Sequence, residues 1–239
     1  RLAVAGPDQR VRLYQCDPPL LLEDFPVAAA PNDLTATANG EWWFSSLANG
    51  QAIGAKPAVL RGLAGHQGAV TGVAYVADGR WLITASADQT IRVWDHATGT
   101  VVATCAGNAS PIVTLGVTAD GRRVAASCAD NQIRVWSLAA FFEAAVKATA
   151  TPPAKDAPVP TVPLLGNWPV AAAARSVRWN ADGTRLITTH DDASVRLWQV
   201  AAEGPMAPPP TEVGRELQRW SGHTGPVWAS TFVDGGTHV

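Results

Sequence analysis

The chain has 239 residues, 47% of them hydrophobic and only 16% charged, with 18 basic against 20 acidic side chains and a net charge of −2. That length suits one large all-β architecture, and the apolar share is enough for a sizeable core. The balanced charge argues against a nucleic-acid surface or a polybasic membrane surface, and no apolar run approaches the roughly 18 residues of a membrane span. Three scattered cysteines, Cys16, Cys105 and Cys128, are too few for a disulfide framework or a zinc cluster.

From the N-terminus, Ala5-Gly6-Pro7-Asp8-Gln9-Arg10-Val11-Arg12-Leu13-Tyr14 parallels Ala85 to Trp94, and Tyr14 lies 80 residues before Trp94. This predicts a repeat remnant over 1–32, holding a second, third and fourth strand. A worn unit follows over about 33–63. Asn39-Gly40 is its first turn, Trp42 to Ser45 a strand and Ala48-Asn49-Gly50 its second turn, with Ala55 where other units have Trp.

Three windows then superimpose: Ala77-Asp78-Gly79 through Trp94, Ala119-Asp120-Gly121 through Trp136, and Ala181-Asp182-Gly183 through Trp198. Asp78 to Asp120 and Trp94 to Trp136 are both 42 residues apart; Asp120 to Asp182 and Trp136 to Trp198 are both 62. Two markers therefore agree on one period plus one insertion of about twenty residues. In each window Ala-Asp-Gly is a tight turn, a short β-rich run follows, and after a second turn an alternating strand ends in Trp. A strand precedes each window: Val70 to Val76, Ile112 to Thr118 and Ser176 to Asn180. Another follows it: Thr100 to Cys105, Val162 to Leu165 and Glu216 to Trp220. Four strands per forty-odd residues is the unit of a β-propeller blade. The units run over about 33–63, 70–105, 112–165 and 175–220. A leading strand over Pro226 to Val233 opens the next one, 226–239.

Two proline- and alanine-rich insertions, 138–161 and 200–214, interrupt the period. Proline there blocks strand pairing and favours solvated chain. The leading expectation is a tolerated, disordered loop; the other is a partner-docking arm anchored by Phe141 and Phe142. The chain begins at Arg1 and its one Met is Met206, so it reads as a piece of a longer chain. Two closures fit: a ring of five in which 226–233 completes the first unit, or, preferred, a cut from a ring of seven or more.

Gly65-His66, Asp88, Trp94-Asp95 and Gly222-His223 carry a resemblance to the WD-repeat β-propeller family, strongest over 64–137. The resemblance implies an all-β propeller, here four full four-stranded blades, a partial N-terminal blade and one leading C-terminal strand. It also implies a buried network of His, Ser or Thr, Asp and Trp in each blade. His66, Ser86, Asp88 and Trp94 supply all four. The next unit departs, with Asn108, Cys128, Asp130 and Trp136, and the one after has Asn167, His190, Asp192 and Trp198. His223 opens a further set. Arg92, Arg134 and Arg196 recur two residues before each Trp and read as solvated strand-face residues.

By family position, Gln67, Thr71, Trp168, Asp191, Thr224 and Trp228 fall on the face where partners bind, and exposed Trp is a frequent hot spot. Packing between blades is the competing role for each Trp. No nucleophile elbow or phosphate loop occurs, and Val70 to Val76 and Ile112 to Thr118 offer no carboxylate or histidine to a central channel. The expectation is a non-catalytic scaffold that binds a protein or peptide, with no catalytic residues, metal or cofactor, no nucleic acid and no membrane insertion. The alternatives are an accessory propeller of a larger bacterial enzyme with a kinase or haem domain, and a channel-site enzyme. A content of 3 Lys against 15 Arg hints at a GC-rich bacterial genome. The compartment is left open, with the cytoplasm preferred.

Overall fold

A computed structural model describes residues 2–36, 43–56, 59–76, 80–147, 158–200 and 213–233. Among them it is all-β apart from one short helix. The first sheet is β1 (Leu2–Gly6), β2 (Arg10–Cys16) and β3 (Pro19–Pro26). The second is β4 (Pro31–Ala36), β5 (Trp43–Leu47), β6 (Ala52–Lys56) and β7 (Val59–Leu63). The third contains β8 (Val70–Tyr75), β9 (Trp81–Ser86), β10 (Ile91–Asp95) and β11 (Thr100–Cys105). β12 (Ile112–Val117), β13 (Arg123–Cys128) and β14 (Gln132–Ser137) begin the fourth. The helix α1 (Ala139–Lys147) and the two-residue strand β15 (Thr161–Val162) then intervene, and β16 (Leu164–Pro169) completes that sheet. The fifth is β17 (Ala174–Trp179), β18 (Arg185–His190), β19 (Val195–Gln199) and β20 (Arg215–Trp220). Successive strands within each sheet pair antiparallel, as in the four-stranded blades of WD40 propellers. The turns predicted at 39–40 and 77–79, Trp42, the second insertion over 201–212 and the tail 234–239 lie outside the described residues.

One turn recurs in every sheet. The residue after Asp8, Asn49, Asp88, Asp130 or Asp192 takes a positive φ: Gln9, Gly50, Gln89, Asn131 and Ala193, between 57° and 83°. In four of the five, the preceding Asp or Asn side chain accepts the N–H two residues on, at Gln51, Thr90, Gln132 and Ser194. This Asx turn joins the middle two strands of each blade and fixes the Asp where it reaches its neighbours.

The sheets stand in a row, the leading strand of each packed on the next: β4 on β8, β8 on β12 and β12 on β17. The approach is close. A Cβ added at Gly116 would lie 2.6 Å from the Val177 carbonyl, so only glycine fits there. Hydrogen bonds stitch the leading strands together: Asn32 to the Val70 carbonyl, the Val73 N–H to Asp33, and Thr71 to the Ile112 carbonyl. Each sheet has a front face toward its successor and a rear face toward its predecessor. Front residues Ile83, Ala85 and Val93 share one core with rear residues Val124, Ala126 and Trp136. Front residues Ala125, Ile133 and Val135 share another with Leu186 and Trp198.

The structure corrects four expectations. The fourth strand of the fourth sheet is Leu164–Pro169, not Val162 to Leu165. Gly166 and Trp168 face Val135 and Ile133 across the ladder, while Thr161 and Val162 pair in parallel with Thr104 and Cys105 on the outer edge of the third sheet. The described part of the first insertion is ordered. Phe141 and Phe142 pack on Trp81 at 5.7 and 6.1 Å between ring centroids, so these rings are held inside the chain rather than offered to a partner. The segment 226–232 forms no strand; it meets the fifth sheet instead through the Val227 N–H on the His190 carbonyl at the end of β18. Finally, Arg134 and Arg196 are buried rather than solvated.

Candidate functional site

The third sheet holds the fullest polar network. His66 reaches in from the loop between β7 and β8. Its Nδ1 is 2.9 Å from Asp88 Oδ2 and its Nε2 is 2.7 Å from Thr84 Oγ1. Trp94 Nε1 donates to the same Thr84 oxygen at 2.7 Å. A carboxylate only accepts and an indole N–H only donates, which places one proton on His66 Nδ1 and one on Trp94 Nε1; with a neutral imidazole the remaining bonds follow. Nδ1–H points at Asp88, the Thr84 hydroxyl donates to Nε2, and Thr84 accepts from Trp94. Burial favours the neutral imidazole, holding its pKa below the ordinary value against the opposing pull of Asp88. Burial works to raise the Asp88 carboxyl, but bonds from Thr90, the Gln67 N–H and His66 outweigh it and hold it at about 2.

Ser86 is not the network hydroxyl. It donates to the Gly68 carbonyl and accepts the Asp88 N–H. Thr84 and Ser86 lie two apart on one strand and so share a face, but Thr84 is at mid-strand, opposite Arg92 and near Trp94. Ser86 sits at the hairpin end and closes the turn.

The fourth and fifth sheets solve the problem differently. Among the described residues, no His bonds Asp130 or Asp192. Arg134 grips Asp130 through two bonds of 3.0 and 2.6 Å, and Arg196 reaches Asp192 at 2.6 Å. Each pair is Asp and Arg four apart across the Asx turn. Asp8 and Arg12 repeat it in the first sheet at 2.6 Å. In the third sheet His66 holds Asp88, and Arg92 turns to the Thr90 hydroxyl.

Their tryptophans differ as well. Trp136 donates to the Ala106 carbonyl because Ala126 stands where Thr84 does. Asn108, in the His66 position, bonds the Gln89 and Ser110 carbonyls and accepts from the Cys128 thiol. In the fifth sheet Trp198 donates to Thr188, and His190 supplies the imidazole from its own strand. Its Nε2 lies 2.7 Å from Thr188 and its Nδ1 2.9 Å from the Ala172 carbonyl. Asn167 instead bonds Gln132. His223 is exposed.

The expected partner face divides. Gln67 is exposed, with its N–H on Asp88, and Thr224 is exposed. Thr71 is committed to the Ile112 carbonyl. Trp168 is buried against Trp198, with ring centroids 5.7 Å apart, because β16 begins later than expected and carries it inward. Trp228 is 69% exposed, with the Arg175 guanidinium 5.1 Å from its ring. Arg175 in turn grips Asp191 through bonds of 2.6 and 2.9 Å. Reading the sequence alone missed Arg175, Thr84 and the Asp–Arg pairs. The recurring four-residue spacing at 8/12, 130/134 and 192/196 is the signal that could have found the pairs. Asp33 was missed too: a carboxylate on an innermost strand, its oxygens are taken by the Val73 and Leu34 N–H groups.

Repeated four-stranded antiparallel sheets, joined by Asp-bearing hairpins and anchored by Trp, define a WD-type architecture. Comparison with known families agrees: residues 58–95, 99–137 and 167–199 match the family described as WD domain, G-beta repeat. These three repeats belong to the WD40 repeat family. Over 44 residues, 18% of this chain, the sequence is 43% identical to the Homo sapiens protein WD repeat-containing protein 36, and the match spans 5% of that protein.

Proposed function

We propose that this chain is a non-catalytic platform that binds a protein segment beside Trp228. WD40 repeats are typically protein-interaction modules, and site chemistry rather than fold must name the binding point. One observation carries the reading: a largely exposed indole is fixed in place by Arg175, which Asp191 holds in a bidentate grip. A rigid aromatic anchor loses little freedom on binding, so its buried area converts to affinity efficiently. Gln67, whose N–H bonds Asp88 at the third sheet's hairpin, and Thr224 are further exposed polar groups.

The test is a peptide-display selection against the chain, with retained peptides measured on variants. Trp228→Ala and Arg175→Ala should each weaken binding at least tenfold while leaving the melting temperature unchanged, since both side chains are exposed. Peptides that bind Trp228→Ala as tightly as the wild type would contradict the assignment.

A further inference from the structure

The fourth sheet lacks the acceptor that its Trp finds in other sheets. Trp94 and Trp198 donate to Thr84 and Thr188 on their own neighbouring strands, but the equivalent residue, opposite Arg134, is Ala126. Trp136 is 0% exposed, and an indole N–H left unpaired at that depth is costly. It donates instead at 2.7 Å to the carbonyl of Ala106, the residue that follows β11 in the preceding sheet. The first insertion holds Ala106 in that position. The Ala106 N–H donates to the Val162 carbonyl at 2.9 Å, and the Thr104 N–H donates to the Pro160 carbonyl at 2.9 Å. Ala106 is thus bonded to the insertion through its N–H and to Trp136 through its carbonyl.

The insertion reaches the third sheet twice. Helix α1 begins just after β14 of the fourth sheet, and its Phe141 and Phe142 pack on Trp81 of the third. Trp81 stands opposite Asp95, at one end of β10. Strand β15 then pairs with β11 at Cys105, which stands opposite Ile91 at the other end of β10. Leu138 and Val162, 0% and 5% exposed, belong to the core that the third and fourth sheets share. Pro160 has no N–H with which to extend the ladder, so the pairing stops at Thr161 and Val162. The chain returns to the fourth sheet through Leu164, which lies against Gly107: a Cβ added there would be 3.2 Å from the Leu164 Cβ.

We propose that the first insertion is a clasp between the third and fourth sheets: by bonding Ala106 from outside, it fixes the acceptor for Trp136 and does for the fourth sheet what Thr84 does for the third. A side-chain bond within one sheet is replaced by a bond to the preceding sheet. The Trp136 anchor therefore depends on a strap that folds back across the joint, and the two sheets open together at this point rather than separately. This device uses only contacts within the chain and is independent of the Trp228 reading.

The experiment is hydrogen exchange followed by NMR on the 239-residue chain, reading the indole N–H groups of Trp94, Trp136 and Trp198 and the amides of Thr104 and Ala106. Val162→Gly keeps the carbonyl but removes the buried side chain that seats β15. It should speed exchange at Thr104, Ala106 and the Trp136 indole by about tenfold or more, and leave the Trp94 and Trp198 indoles within about twofold of the wild type. Val162→Ala serves if the glycine variant fails to fold, with the same order of effects. Adding Ala126→Ser to either variant puts a hydroxyl at the position of Thr84. It should return the Trp136 indole to wild-type protection while Thr104 and Ala106 remain fast, an outcome that general stabilisation would not produce. A Trp136 indole that exchanges no faster in the Val162 variants overturns the clasp. Equal acceleration of all three indoles overturns it as well, because the insertion would then add only overall stability.

Discussion

The third sheet and the fourth sheet stabilise the same hairpin with different chemistry. In the third, the Asp88 side chain is 8% exposed and bonded to a neutral histidine that also engages Thr84, to which Trp94 donates. In the fourth, the Asp130 side chain is 36% exposed and paired with Arg134, while Trp136 is satisfied separately by a backbone carbonyl. The first arrangement links a loop, two strands and a turn through one chain of hydrogen bonds. The second is two independent contacts. A buried linked network loses more than one bond when any member is removed, whereas the Asp130–Arg134 pair, with its carboxylate about a third exposed, is partly screened by water. The fifth sheet is intermediate: it has the Asp–Arg pair and also a Thr188–His190–Trp198 chain. Loss of the loop histidine therefore leaves each Asp with a partner, and the loop before the leading strand is tied to the blade by other bonds instead, Trp136 to the Ala106 carbonyl in the fourth sheet and His190 to the Ala172 carbonyl in the fifth.

The largest effect is expected from Asp88→Ala, which removes the partner of a buried histidine and three hydrogen bonds, at roughly 2–4 kcal/mol. Asp130→Ala should cost less, about 1–2 kcal/mol, because the carboxylate is partly exposed although the Arg134 guanidinium it pairs is buried. Denaturant titration of the two variants measures the gap, and equal losses would break the comparison. Next comes Thr84→Val, which keeps the shape but strands the Trp94 N–H and His66 Nε2, at about 2–3 kcal/mol. Ser86→Ala, two residues along, should cost about 1 kcal/mol or less. The reverse ranking would restore Ser86 as the network hydroxyl.

The pH dependence should be smaller and of definite sign. His66 and His190 are both held neutral by burial, with folded pKa values below the ordinary 6.5. The unfolded chain therefore takes up protons first on acidification. Their stabilisation is complete above about pH 6.5 and declines as pH falls through the lower folded values. Asp88, at about 2 when folded, adds a further loss between its ordinary 3.8 and 2. Melting temperatures at pH 7.5 and 5.5 check the histidine part; the difference should shrink when both histidines are replaced by Gln.

The repeat was legible because its markers, Asp at the hairpin and Trp at the strand end, sit at fixed spacing whatever the rest of the blade does. The network was legible only in part. Thr84 and Ser86 are both buried hydroxyls on one face, and position along the strand decides between them: Thr84 sits level with the indole and imidazole, Ser86 at the hairpin turn. Arg134 and Arg196 look solvated in an alternating strand because the positive-φ turn that brings Asp130 and Asp192 back to them is invisible until the hairpin closes. Trp168 was misplaced because the proline-rich insertion erases the period before it, so register alone could not show where β16 begins. Arg175 carries no repeat signal; only its contacts with Asp191 and Trp228 single it out.

The most direct measurement is a pair of double-mutant cycles, His66 with Asp88 and Arg134 with Asp130, each read from denaturant unfolding. The account predicts a coupling well above 1 kcal/mol for the first pair and at most about 1 kcal/mol for the second. Equal couplings, or a larger one for the arginine pair, would contradict the claim that the third sheet is held by a linked network and the fourth by a replaceable ion pair.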